Sequence, residues 1–95
     1  MNCTVVRLRL FVAGDGQNSV AARANLNALC AAHLQGRHEV EVVDVFLQPT
    51  RALADGIFMT PTLLKLSPGP ACKIVGTLSD PLPVLQALGL QAAVA

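Results

Sequence analysis

A strand–helix–strand pattern over the first 46 residues constrains the fold more than any other feature of this sequence. Residues 5–12 (VVRLRLFV) alternate arginine with apolar side chains and then become fully apolar, as in a strand that ends inside a core. Residues 19–34 have the apolar spacing of a helix, and residues 39–46 (EVEVVDVF) alternate again. Because a helical crossover joins parallel strands with a right-handed turn, this half is predicted to be a βαβ unit.

The helix of this unit follows a turn rich in glycine, and we expect Asn18 or Ser19 to cap its first turn. Its predicted core face consists of Ala22, Leu26, Leu29, Cys30, His33 and Leu34.

The second half is predicted to contain a short helix, a hairpin and a last helix. Proline opens the helix at residues 49–55. A tight turn with Pro68 and Pro70 joins strands at residues 62–66 and 71–75.

The last helix is expected to begin after Ser79 or Asp80, with Pro81 in its first turn. The resulting order, β-α-β-α-β-β-α, is that of a single α/β domain of thioredoxin-like fold over residues 1–95. Such folds place a proline, usually cis, before the third strand, where this chain has Pro61. The sequence pattern leaves the cis or trans state of that bond open.

The composition excludes several classes of protein. Hydrophobic residues make up 53% of the 95-residue chain and charged residues 14%. Disordered chains have few hydrophobic and many charged residues, so this composition excludes disorder. The seven Lys and Arg residues are spread thinly and there is no Trp or Tyr, so nucleic-acid binding is not expected. Neither a membrane-spanning run nor a signal-peptide pattern occurs, so we expect a cytoplasmic protein whose apolar surplus lines an oligomer or partner interface.

The cysteines and histidines do not form a recognisable reactive site. The three cysteines are widely spaced and form no C-x-x-C motif, so we interpret Cys3, Cys30 and Cys72 as reduced thiols. His33 and His38 have no partners at metal-ligand spacing. We therefore expect no catalytic residue, cofactor or metal. A thioredoxin-like enzyme that uses a single cysteine is the alternative.

The turn before the first helix also has two weak similarities to known sites. Gly14, Gly16 and Ser19 form a degraded dinucleotide fingerprint, and Asp44 lies near the position of a ribose-binding acid. The missing third glycine and the acidic Asp15 argue against nucleotide binding. No nucleophile accompanies Ser19, so capping explains that residue better than catalysis.

Three acidic residues on the second strand have alternative interpretations. Asp44 is either a buried carboxylate that needs partners or an Asx-type cap where the strand ends. Glu39 and Glu41 form either a solvated face that discourages edge pairing or part of a partner-binding strand.

Several motifs together resemble the KaiB family of circadian clock proteins, which is related to the start of the sensor kinase SasA. They are LFVAG…NSV at residues 10–20, VVDV at 42–45, TPTLLK at 60–65 and PGP…IVG-T-LSD at 68–80. The motifs occur in the family's order and cover most of the chain.

The resemblance implies a non-enzymatic protein that binds a KaiC-like ATPase, modulates its phosphorylation, and engages a KaiA-like protein or competes with a sensor kinase. It also implies a homo-oligomer, tetramer or dimer, whose second half switches between two folds. Because Ala87 replaces a family glycine and prolines open the last helix, we predict that this chain favours the thioredoxin-like arrangement. A thioredoxin-like module acting on a kinase, or a non-clock homologue in stress signalling, is the alternative function.

The resemblance and the motifs together select two groups of residues. The candidate partner-binding residues are Glu39, Glu41, Lys65 and Lys73. The candidate structural or switch residues are Gly14, Asn18, Asp44, Pro61, Pro68, Pro70, Ala87 and Gly89.

Overall fold

Four strands form one mixed sheet in the computed structural model, which describes residues 5–89. The elements are β1 (Val6–Val12), α1 (Gln17–His33), β2 (His38–Asp44), α2 (Pro49–Ala54), β3 (Thr62–Ser67), β4 (Cys72–Val75) and α3 (Pro81–Ala87). Their order and type confirm the predicted thioredoxin-like fold. Cys3 and the tail after Gly89 lie outside the described residues.

The sheet has the strand order β2-β1-β3-β4, so β2 and β4 are its edges. β1 and β2 pair in parallel, from Val6 opposite His38 to Val12 opposite Asp44. β3 pairs antiparallel with β1 and with β4. The parallel pair is joined through α1, as the βαβ prediction requires.

The two faces of the sheet are covered unequally. α1 and α3 pack on one face over the larger core cluster, in which Leu10 and Leu63 are fully buried. On the other face, the smaller cluster consists of Phe11, Val43, Ala52, Ile57 and Leu64. Because α2 has only six residues, part of this second face remains exposed to solvent.

The predicted cap of α1 is wrong. The helix begins at Gln17, after Gly16, and has no side-chain cap hydrogen bond. Ser19 is buried, and its hydroxyl oxygen accepts a hydrogen bond of 3.1 Å from the Ala13 backbone N–H. Asn18 lies exposed in the first turn. The hydroxyl therefore joins the end of β1 to α1 instead of satisfying the helix's own free N–H groups.

α1 buries its predicted face except at His33. Ala22, Leu26 and Leu29 lie in the core as expected. His33 is exposed and lines an open groove of about 240 Å³ between α1 and the segment that precedes α3. The helical spacing was correct, but the chain opposite its last turn does not cover this side chain.

β2 ends two residues earlier than predicted because Asp44 forms an Asx turn. Its carboxylate oxygen Oδ1 accepts hydrogen bonds from Phe46 N–H at 2.9 Å and from Gly14 N–H at 3.2 Å. The Asx interpretation of Asp44 is confirmed, since the side chain satisfies backbone donors at the end of the strand.

The second half ends in a helix, as predicted. Asp80 caps α3 by accepting a hydrogen bond of 3.1 Å from Leu82 N–H, and Pro81 occupies the first helical position. Gly89 follows the helix with a φ of +76°, which is typical of glycine after a helix end. Both the Thr60–Pro61 and the Ser67–Pro68 peptide bonds are cis.

Candidate partner-binding surface

The half-covered face of the sheet carries a network of four charged side chains. Arg9 donates to Glu41 Oε1 at 2.9 Å and to Asp55 Oδ2 at 2.7 Å. Arg51 of α2 donates to both oxygens of Glu41, at 2.6 and 2.8 Å. This bidentate pair joins α2 to β2, so Glu41 positions the helix as well as facing solvent.

The network shifts the pKa values of Glu41, Arg9 and Arg51. Hydrogen bonds from Arg51, and then from Arg9, lower the pKa of Glu41 from 4.5 to about 2. The hydrogen bond to Asp55 raises the pKa of Arg9, and the one to Glu41 raises that of Arg51. Glu41, Arg9 and Arg51 are therefore charged at neutral pH. Their charges are largely matched within the protein.

The four candidate partner-binding residues do not share one face. Glu41, Arg9, Leu64 and Lys73 lie side by side across the four strands, and Glu39 lies on the same face as Glu41, next to Arg7 at 3.6 Å. Lys65 is buried on the opposite face. The structure thus brings Glu39, Glu41 and Lys73 onto one face and separates Lys65 from them.

Gly14 and Asp44 act together at the end of the sheet where β1 and β2 end. Gly14 has a φ of +58°, which favours glycine, and donates its N–H to Asp44. A Cβ atom at Gly14 would lie 3.5 Å from the ring of Phe46. Gly14 and Asp44 together therefore fix the turn that contains Phe46. Asn18 is not part of this arrangement.

The remaining switch candidates lie in the second half. Pro61 is buried at the start of β3, whereas Pro68 and Pro70 are exposed in the β3–β4 turn. Ala87 is the last residue of α3, and its carbonyl oxygen accepts a weak hydrogen bond from the Cys72 thiol at 3.7 Å. Ala87 and Gly89 therefore both lie where α3 ends.

Sequence reasoning missed an exposed apolar surface around α2. Phe46, Leu47 and Leu53 are 71–79% exposed, and we call these three residues the α2 patch. Phe46 and Leu47 lie in the turn after β2, and Leu53 is exposed on α2. Large exposed apolar side chains are candidates for an interaction site. Apolar residues in the turn before Pro49 were the available signal.

A second exposed apolar group lies beside β4. Phe58 is 89% exposed, Met59 61% and Val75 54%. With Lys73 they line an open groove of about 210 Å³, which we call the β4 groove.

Two observations on the described residues concern metal binding and thiol chemistry. Residues 5–89 hold no group of three or more His, Cys, Asp or Glu side chains placed to bind a metal ion. Cys30 is buried, and desolvation raises the pKa of its thiol, which makes it a weak nucleophile. Within the same range no helix has the length and apolar character needed to cross a bilayer.

A family model and curated relatives both match this chain to the same family. The model of the KaiB domain matches residues 9–90. The circadian clock oscillator protein KaiB of a Cyanothece strain is 45% identical over 83 residues, which cover 87% of this chain and 79% of that protein. The circadian clock protein KaiB3 of a Synechocystis strain is 37% identical over 90 residues, 95% of this chain and 88% of that protein.

Solved structures show the same fold. The N-terminal domain of Synechococcus elongatus SasA superposes with a TM-score of 0.76 at 24% identity, covering all of this chain and 93% of that domain. The Drosophila thioredoxin Deadhead superposes with a TM-score of 0.71 at 14% identity, covering 87% of this chain and 79% of that protein.

Proposed function

The chain belongs to the KaiB family, and on that premise we propose that it is a non-enzymatic signalling protein that binds a KaiC-like ATPase and modulates its phosphorylation. The curated relatives are circadian clock proteins. The proposal includes a cytoplasmic site of action.

The observation that carries this proposal is the fold of the second half. The resemblance to KaiB implies that the family binds its ATPase as a monomer with a thioredoxin-like second half. In this chain β3, β4 and α3 form that arrangement, with Asp80 capping α3 and Gly89 following it. The chain therefore holds the arrangement that the proposed interaction requires.

We propose the α2 patch as the ATPase-binding surface. Its three side chains are apolar and exposed, so contact with a partner would remove apolar area from water. Arg51 lies on the same helix as Leu53 and is bonded to Glu41, which balances its charge and joins α2 to β2. A helix already held in place loses less conformational entropy on binding than a mobile segment does.

Glu39, Glu41 and Lys73 lie on the sheet face on which α2 packs, and we propose them as peripheral contacts. Exposed charges at the rim of an interface mainly set the association rate and the choice of partner. Lys65, which is buried on the other face, is proposed to act only through the packing of the β3–β4 hairpin.

Fold switching and oligomerisation remain part of the proposal. The helix of the second half has fewer buried residues than the helix of the first half. Val84 and Leu85 are buried in α3, whereas five residues are buried in α1. A weakly anchored second half can be exchanged for another packing at a cost of a few kcal/mol. We propose that an oligomer, dimer or tetramer, forms in that other packing.

The test is binding of the wild-type chain to a KaiC-like ATPase in its unphosphorylated and phosphomimetic forms, measured by gel filtration and biolayer interferometry. We expect saturable binding with a preference for the phosphomimetic form, and a changed rate of ATPase dephosphorylation. Binding to neither form would contradict the proposal. Binding only to a sensor kinase would instead support a thioredoxin-like module that acts on that kinase.

A further inference from the structure

The outer edge of β4 has free backbone groups. Gly76 N–H donates to the Pro61 carbonyl oxygen at 2.9 Å, and β4 is antiparallel to β3. Because hydrogen bonding alternates along an antiparallel strand, Gly76 and Ile74 direct their N–H and C=O groups toward β3. Lys73 and Val75 therefore direct theirs outward, where a further strand could pair with them.

The β4 groove adjoins this edge. It is bordered by Phe58, Met59 and Val75, which are all more than half exposed. Its volume of about 210 Å³ is below the ~300 Å³ that small-molecule sites usually reach. The groove therefore suits one or two apolar side chains of a peptide better than a cofactor.

The positive charge of Lys73 in the groove favours some partner strands over others. Lys73 Nζ donates to the Gly56 carbonyl oxygen at 3.1 Å, which holds the ammonium group at the groove and leaves two of its three donors unused by that bond. No acidic side chain is among the described residues that line the groove. A second copy paired through β4 would bring two Lys73 residues to diagonal positions, where like charges repel.

We propose that the β4 edge binds an extended segment of a partner protein, in which a carboxylate side chain has apolar side chains two residues before and after it, so that all three face the groove. The backbone of the segment pairs with Lys73 and Val75, as in strand addition to a sheet edge. Its apolar side chains cover Phe58, Met59 and Val75, and its carboxylate faces Lys73. The α2 patch contributes no residue to the groove, and Lys73, proposed above as a peripheral contact, is shared by the two surfaces, so the peptide test is made without the ATPase.

The test is an NMR titration of the ¹⁵N-labelled full chain with a capped pentapeptide, Val-Thr-Glu-Thr-Val, in which Glu and both Val side chains face the same side, and with a control peptide in which Lys replaces Glu. We expect saturable shifts and slower hydrogen exchange at the Lys73 and Val75 amides. The control peptide should bind about two- to fivefold more weakly, as the loss of one exposed ion pair predicts.

Two variants make the test specific. Val75→Pro removes an outward N–H that makes no bond to β3 and should abolish binding, whereas Val20→Thr, an exposed change on α1 outside the groove, should bind normally. Lys73→Gln should remove the preference for the Glu peptide, which checks the proposal even if the proline variant unfolds. The proposal is overturned if the Glu peptide gives no saturable shift, if Lys73→Gln retains the preference, or if the β4 amides shift with protein concentration alone, as self-pairing requires.

Discussion

The side-chain amide of Asn25 donates a hydrogen bond of 2.8 Å to the carbonyl oxygen of Thr77. The bond joins α1 to the loop between β4 and α3, 52 residues away in the sequence. In that loop Leu78 has a φ of +65° and is buried. A non-glycine residue in this conformation is held by its surroundings. The hydrogen bond from Asn25 to the neighbouring Thr77 carbonyl is one of the contacts that hold Leu78 in this conformation.

We predict that Asn25→Ala loosens the second half of the chain. A lost hydrogen bond to a partly buried carbonyl costs about 1–2 kcal/mol. Hydrogen exchange measured by mass spectrometry should become faster in residues 77–88 and change little in β1 and β2. Asn27→Ala, an exposed change on the same helix, is the control. Equal effects of the two variants would show that the bond has no special role.

Ala87→Gly is predicted to weaken α3. Glycine is about 1 kcal/mol less favourable than alanine inside a helix, and Ala87 is also half-buried against β4. We expect faster amide exchange in α3, and a second set of NMR signals if the second half has another packing. Ala24→Gly makes the same change on the exposed side of α1 and should leave α3 exchange unchanged. Unaltered α3 exchange in Ala87→Gly would contradict this prediction.

The turn that presents Phe46 is predicted to depend on Asp44. Asp44→Ala removes the acceptor for two backbone N–H groups and should lower the free energy of unfolding by about 1–2 kcal/mol. Asp44→Asn keeps one carbonyl oxygen and should retain most of the stability. Urea unfolding followed by circular dichroism measures the difference. Equal losses in both variants would show that the charge, and not the acceptor geometry, stabilises the turn.

Glu41 is predicted to make stability depend on acid pH. Its pKa is lowered from 4.5 to about 2 by Arg51 and Arg9 in the folded chain. A carboxyl group with a lower pKa when folded stabilises the protein above its unfolded pKa and loses that contribution as pH falls toward the folded pKa. We therefore expect Glu41→Gln to lower Tm at pH 7, and the difference from wild type to shrink between pH 4.5 and 2.

Glu39→Gln is the matched control for Glu41, because Glu39 lies on the same strand and its nearest contact with Arg7 is a highly exposed 3.6 Å pair. A pH-dependent Tm difference equally large in Glu39→Gln would contradict the role of the Arg9–Glu41–Arg51 network. Differential scanning fluorimetry across this pH range provides the measurement.

The strands and helices were predictable because their residue spacing follows from how each element buries one face. Arg7 and Arg9 alternate with core residues along β1, and the structure exposes Arg7 while burying Leu8. The boundaries were less predictable, since they depend on contacts distant in sequence. Ser19 has the chemistry of a helix cap, but its hydroxyl accepts the N–H of Ala13. No local pattern distinguishes these two uses.

The candidate surface was only partly predictable, because a hydrophobic residue in the sequence does not show whether it will face the core or solvent. Leu53 follows the buried Ala52 in α2 and is 71% exposed. Lys65 and Lys73 look equivalent in the sequence, yet they lie on opposite faces of the sheet and only Lys65 is buried. Such differences depend on the size of α2 and on the strand order.

Calorimetric titration of a KaiC-like ATPase with Leu53→Glu and Val20→Glu distinguishes binding through the α2 patch from binding elsewhere on the chain. Both residues are exposed and apolar, but Val20 lies on α1, away from the α2 patch. We expect wild type and Val20→Glu to bind alike and Leu53→Glu to bind at least about tenfold more weakly, because it places a charge in an apolar interface. Absence of wild-type binding, or equal affinity of the two variants, would contradict this expectation.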